Sequence, residues 1–209
     1  MMITYVVRPG DHLAKIAHDL GADADVLWEH PKNKDLRDKR GDKNILAAGD
    51  VLFVPVEEDA RLPLVVGELN RYSATVPTLE THLQFADGKG PFAGEAYVVE
   101  GLDESIEGST DGQGKLTIEA PVSAHSAVVR FVKRGLRFHV SLGELDPVTE
   151  ISGVQARLVS LGFLQGVASG ELDEPTAEAL RAFQKAKRIA ITGAADAVTQ
   201  AAVKDAYGC

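Results

Sequence analysis

Apolar residues follow three rhythms along the chain. A short β-prone run, Thr4-Tyr5-Val6-Val7, is broken at Pro9-Gly10, and Leu13, Ile16, Ala17 and Leu20 then recur at helical spacing. A second helix carries Val26, Leu27 and Trp28, and Pro31 stops it. A charged segment follows before Gly49-Asp50 leads into a second strand, Val51-Leu52-Phe53-Val54-Pro55. Two strands cannot hold a core alone, but two helices on one face can cover them. Trp28 is expected to fill that core rather than to form a platform.

From about residue 61 to 146 the period drops to two. Glu57 to Arg61 reads as a polar bridge, and Leu62 to Leu69 as a first strand. In the run Thr78 to Phe85, residues Leu79, Thr81, Leu83 and Phe85 share a face. Ala86 to Pro91 is a turn cluster, Ala96 to Val99 a strand, and Ser109 to Gly114 a turn before Lys115 to Glu119. The clearest hairpin joins Ala127–Lys133 to Leu136–Leu142 through Arg134-Gly135. Its second arm sets Leu136, Phe138, Val140 and Leu142 on one face and Arg137, His139 and Ser141 on the other, as in a sheet with one wet side. About six or seven short strands with regular turns predict a β-sandwich.

The helical period returns after Asp146-Pro147. Val154, Leu158 and Leu161 form one stripe, Leu180 and Phe183 a second, and Val198, Ala202 and Val203 a third. Helix ends are marked by residues that satisfy free backbone groups. Asp11, Asp23, Ser152, Asp173 and Asp196 are candidate N-caps, Pro175 suits a first turn, and Gly21 and Gly162 suit C-terminal left-handed positions. The chain therefore reads as α+β and multidomain, with boundaries at 1–58, 61–146 and 148–207.

Length and charge narrow the function. The 209 residues suffice for two or three small domains. A net charge of -9 argues against a nucleic-acid partner, because phosphate binding needs a basic face. No apolar run reaches the ~20 residues of a membrane span. The N-terminal stretch is broken by Pro9 too early for a signal peptide, so synthesis in the cytoplasm is expected, with assembly into or export by an injection machine toward the periplasm or wall. Cys209 is the only cysteine, which leaves no intrachain disulfide. The segment Lys32 to Lys43 mixes cations with Asp35, Asp38 and Asp42; it reads as a solvated helix face, with a docking face for an acidic partner as the alternative.

No catalytic constellation emerges. His82, His125 and His139 lack metal-ligand spacing, and no Gly-x-Ser-x-Gly elbow is present. Gly112 and Gly114 lack the Lys-Ser/Thr of a phosphate loop, and Glu95, Glu100 and Glu119 show no pairing. No enzyme activity, cofactor or metal is expected.

Two stretches resemble known families. Tyr5-Val6-Val7-Arg8-Pro9-Gly10-Asp11-His12-Leu13, with Leu46-Ala47-Ala48-Gly49-Asp50-Val51-Leu52-Phe53-Val54-Pro55, resembles a LysM domain. That resemblance implies a βααβ fold and a groove for N-acetylglucosamine-containing glycans. It would be lined by Gly10, Asp11, His12, Leu13, Asn44, Ile45 and Leu46. Ala48 stands where the family usually has Pro, and the linker from Trp28 to Asn44 is longer than usual. The longer form resembles LysM domains encoded near type VI and other contractile injection systems, some of which dock proteins.

At the other end, Val154-Gln155-Ala156-Arg157-Leu158, Leu161-Gly162-Phe163, Pro175-Thr176, Ala182-Phe183-Gln184 and Thr192-Gly193 resemble the three-helix peptidoglycan-binding domain. That resemblance implies ligand contacts at Gly162, Phe163, Gln165 and Gly170. Ser169 to Glu174 replaces the family's usual Asp-Gly-x-Phe-Gly loop. The turn Gly108 to Leu116 resembles that of Ig-like and carboxypeptidase-regulatory-like β-domains, which serve as spacers or protein-binding surfaces. The combined expectation is a non-catalytic peptidoglycan-binding protein with two wall-associated modules. The alternative is a structural adaptor of an injection system, partnered with spike, baseplate or effector proteins.

Overall fold

The computed structural model describes residues 2–55, 65–71 and 75–209. The expected polar bridge at Glu57 to Arg61 and the start of the Leu62 strand lie outside the described residues. The chain divides into two compact units: residues 1–44 with 49–144, and 45–48 with 145–209. The N-terminal module and the β region thus share one unit.

In the first unit, β1 (Met2–Val6) pairs antiparallel with β2 (Val51–Pro55). Between them run α1 (Leu13–Asp19), α2 (Ala24–Glu29), a 3-10 turn at Pro31–Asn33 and α3 (Lys34–Arg40). The expected strand–helix–helix–strand order is present with a third helix added, formed by the charged segment. Leu13, Ile16, Ala17, Leu27, Trp28 and Leu36 are buried, along with Leu52 and Val54 of β2. Trp28 therefore fills the core as its neighbours implied.

Two polar devices fix this module. Buried Asn33 donates from Nδ2 to the Leu27 and Phe53 carbonyls, each at 2.8 Å, and accepts from the Phe53 amide at 2.8 Å. One carboxamide so ties the helices to β2. Arg40 and Asp50 form a buried two-point pair, Nε to Oδ2 at 2.7 Å and Nη2 to Oδ1 at 2.9 Å. Planar forks of this kind fix geometry as well as charge.

The β region holds β3 (Thr78–Gln84), β4 (Ala86–Asp87), β5 (Gly90–Pro91), β6 (Ala96–Glu100), β7 (Ile106–Ser109), β8 (Lys115–Pro121), β9 (Ser126–Phe131) and β10 (Leu136–Ser141). A four-stranded sheet runs β10-β9-β6-β7, while β3 pairs with β8 and β4 with β5. Tyr97 and Val99 of β6, Leu116, Ile118 and Ala120 of β8, and Ala127, Val129 and Phe131 of β9 join one core with Phe92 and Leu142. Phe85, Phe92 and Phe138 gather around Phe131 at centroid distances of 5.0, 5.0 and 5.9 Å. The expected alternation is present on β3 and, from Phe138 onward, on β10, whereas Leu136 beside the turn is 41% exposed.

Val65 to Leu69 does not form the expected strand. Asn70 takes both backbone groups of Val65, accepting from its amide and donating to its carbonyl at 2.8 Å each. A local side-chain bond has displaced the ladder, leaving Val66 and Leu69 exposed.

The second unit is built from α4 (Ile151–Ser160), α5 (Glu174–Lys187) and α6 (Ala197–Tyr207). Val154, Leu158, Ala179, Leu180, Phe183 and Val203 form its core. Val198 is 63% exposed instead of buried, because Thr199 and Val203 take the inward face of α6. Asp173 and Asp196 cap α5 and α6 as expected. The expected caps Asp11 and Ser152 give way to His12 and Glu150, and Ser152 donates to Asp146 at 2.6 Å instead.

Gly153 approaches the preceding chain so closely that a Cβ there would lie 2.0 Å from the Pro147 carbonyl. Beside it, Arg157 is almost wholly buried and donates to the carbonyls of Asp146, Gly153 and Cys209 at 2.8, 2.8 and 2.9 Å. Burial pushes its guanidinium below its ordinary value.

Replacing Asn33 by Ala strands the groups it satisfies, so Asn33→Ala is expected to lower stability by about 3 kcal/mol. Urea denaturation of the two proteins measures it; a change below about 0.5 kcal/mol contradicts the role assigned to Asn33.

Candidate functional site

The loop from α4 to α5 is the most exposed part of the second unit. Leu158 accepts main-chain bonds from Phe163 and Leu164 at 2.8 and 3.2 Å, and Gly162 reverses the chain with φ +79°. The half-buried Phe163 ring meets Phe183 edge-on at 5.3 Å, so Phe163 anchors the loop rather than extending from it. Gln165 and every residue from there to Pro175 are exposed. Two are large and apolar: Val167 at 89% exposure and Leu172 at 51%.

This exposed loop is held from below by one side chain. Gln155, on α4 and almost wholly buried, donates from Nε2 toward Ser169 Oγ (3.0 Å), the Glu171 carbonyl (2.9 Å) and Thr176 Oγ1 (2.8 Å). Its Oε1 accepts from the Gly170 amide at 2.8 Å. Both ends of the carboxamide are satisfied, as burial requires. Asp173 then caps α5 by accepting from the Thr176 amide at 3.0 Å.

The same device recurs at the far end of α5. Fully buried Gln184 donates toward Thr192 Oγ1 (2.9 Å), the Ala194 carbonyl (3.1 Å) and Thr199 Oγ1 (2.9 Å). It accepts from the Thr192 and Gly193 amides, both at 2.9 Å. Asp196 caps α6 at the Thr199 amide, 2.9 Å away. Ser169-Gly170, Asp173 and Thr176 thus correspond to Thr192-Gly193, Asp196 and Thr199 at one constant offset. Hydrogen bonds to Thr176 and to Thr199 hold the Asp173 and Asp196 carboxyls below their ordinary values.

Of the positions implied by resemblance, Gly162, Gln165 and Gly170 lie on the exposed loop surface and Phe163 packs inward. Gln155 and Gln184, which shape the two loops, are not among those positions. Their role was detectable as a Gln followed by Gly and Asp-x-x-Thr, occurring twice. The arrangement can present an exposed, partly apolar loop of fixed shape to a ligand. Among the described residues, no group of His, Cys, Asp or Glu is placed to hold a metal.

The N-terminal positions are arranged differently. Gly10 takes φ +79°. Asp11 is buried and accepts from Tyr5 Oη (2.7 Å), the Arg8 amide (3.0 Å) and Lys15 Nζ (3.1 Å). It is held below its ordinary value: although burial opposes the charge, bonds from Tyr5, Arg8 and Lys15 outweigh it. Leu13 is fully buried, and its amide reaches the Lys43 carbonyl at 3.2 Å, which brings the two loops together. Asn44 follows, with its Oδ1 buried and without a partner. Ile45 and Leu46 fall in the second unit, and Leu46 is buried.

His12 is 4% exposed. Nδ1 accepts from the Lys15 amide at 3.4 Å, and the ring donates to the Val122 carbonyl. The ring also lies so close to Gly143 that a Cβ there would stand 2.7 Å from it. Two elements of the β region, at Val122 and Gly143, therefore enclose a residue expected to line a groove. Burial holds His12 below its ordinary value, with Lys15 adding to the effect.

Residues 147–203 match the model of the family described as "Putative peptidoglycan binding domain". The match spans α4, α5 and α6 as far as Val203, including both glutamine clamps. No curated protein and no solved structure matches the chain.

Two outcomes are expected. Gln155→Leu and Gln184→Leu each leave buried loop groups unpaired, so each is expected to cost about 2–4 kcal/mol, with faster amide exchange confined to its own loop. Equal exchange in both loops for either variant contradicts separate clamps. For His12, the unfolded chain takes up a proton at higher pH than the folded chain, so stability falls as pH drops below ~6.5. His12→Asn keeps a capping acceptor and flattens that slope in pH-dependent urea melts. An unchanged slope removes His12 as its source.

Proposed function

We propose that the protein is a non-catalytic peptidoglycan-binding protein, and that the C-terminal helical unit makes the contact. The family match over residues 147–203 carries this reading. The exposed loop from Gly162 to Leu172 supports it, because it presents the apolar side chains of Val167 and Leu172 on a backbone that Gln155 holds in place. Peptide stems and N-acetyl groups need that combination, and no titrating side chain is required.

The N-terminal module has a second reading, as a docking module with a LysM-like order of elements. The burial of His12 and Leu13 favours it over an open sugar groove. Under that reading the partners are protein surfaces, such as components of an injection machine.

Sedimentation with purified insoluble peptidoglycan tests the first reading. The full chain is expected to co-sediment, and Val167→Asp combined with Leu172→Asp to reduce retention about tenfold while the melting temperature is unchanged. His12→Asn is expected to leave retention intact. No retention of the full chain at low or moderate salt overturns peptidoglycan binding.

A further inference from the structure

The β9–β10 hairpin differs electrostatically from the rest of the chain. The protein carries a net charge of -9, yet residues 126–143 include Arg130, Lys133, Arg134 and Arg137 and no carboxylate. Two of these cations are neutralised by neighbouring segments. Arg130 donates to Glu100 at 2.9 Å, and Arg134 meets Asp87 at 3.1 Å and Glu95 at 3.0 Å while lying over the Phe92 ring. Among the described residues neither Lys133, in the turn, nor Arg137, on β10, has such a partner. Arg137 stands directly opposite Arg130 in the ladder, on the exposed face, next to exposed His139. Glu100 offsets the charge of Arg130, which leaves Arg137 without a counter-charge in the ladder among the described residues.

The backbone at the same place is also open. Among the described residues β10 pairs only with β9, so it is a sheet edge. The bond from the Leu142 amide to the His125 carbonyl, 2.8 Å, fixes the phase of the ladder. Antiparallel bonding alternates, so Leu136, Phe138 and Val140 direct their amides and carbonyls toward β9. Arg137, His139 and Ser141 direct theirs outward. The outward backbone groups and the unpaired arginine thus belong to one row of residues.

We propose that the β10 edge is a docking site for an extended, alternating apolar–acidic segment of a partner protein, which adds as a further strand. Main-chain bonds to Arg137, His139 and Ser141 hold it in register. An acidic residue opposite Arg137 lies on the same face and neutralises the uncompensated arginine. The alternate, apolar residues fall on the side of half-buried Phe138 and Val140. A second copy of β10 is a poor occupant, because its strand Leu136–Ser141 supplies no carboxylate to Arg137.

A blocked synthetic peptide of alternating valine and glutamate, carrying a fluorophore, tests the site by anisotropy with the full chain. Saturable binding is expected, weakened at least tenfold in each of three cases: lysine in place of glutamate, Arg137→Glu, and His139→Pro. His139→Pro removes an outward amide and no β9 bond, so the fold is expected to persist. If that variant does not fold, N-methylation of alternate peptide amides on the wild-type chain gives the same readout. Equal binding of the lysine peptide, unchanged binding by Arg137→Glu, or no saturation overturns the proposal. A wild-type dimer in sedimentation that His139→Pro dissolves assigns the edge to a second copy and also overturns it.

Discussion

A buried carboxamide has one donor end and one acceptor end, and burial obliges the chain to satisfy both. The protein meets that requirement repeatedly by offering it loop backbone. Buried Gln155 and Gln184 each take at least one amide and one carbonyl from the loop they face, buried Asn33 takes the amide and carbonyl of Phe53 on β2, and half-buried Asn70 makes the same pair of bonds to Val65. At the two glutamines and at Asn70 a neutral side chain gives an irregular segment the bonding that a helix or ladder would otherwise supply. A charged side chain in the same places would carry a far larger desolvation penalty.

The buried charges follow the other half of that rule. Arg40 is matched by Asp50, and Asp11 by Tyr5, Arg8 and Lys15. Arg157 is bonded to three main-chain oxygens, with the negative charges of Cys209 and Asp146 nearby. It gathers the segment before α4, the first turn of α4 and the chain after α6. It also depends on Gly153, since a side chain there would push the Asp146–Pro147 carbonyls away.

Much of this architecture was legible in the sequence. The alternation in Leu79 to Phe85 and in Leu136 to Leu142 is a direct record of one buried sheet face. The Asp173 and Asp196 caps follow from the chemistry of free helix amides. The misreadings have local causes. Asp11 was displaced from its capping role because Tyr5 and Lys15, remote or off the cap in sequence, claim its carboxylate. Val65 to Leu69 has strand composition, but Asn70 competes for its backbone. The placement of His12 was not readable at all: Val122 and Gly143 are far away in sequence, and no periodicity encodes such a contact. The peptidoglycan-binding match was legible from motif letters; the way Gln155 and Gln184 build the loops behind it emerges only from the bonds.

The clamp beneath the α4–α5 loop has a consequence for the energetics of recognition. A flexible loop loses conformational entropy when it meets a ligand, and that loss is subtracted from the affinity. Here Gln155 has already imposed the order during folding, so the loss is charged to the stability of the domain instead. A small exposed surface such as Val167 and Leu172 can then contribute most of its contact energy to holding a ligand. The price is a marginal three-helix unit whose fold and whose grip weaken together.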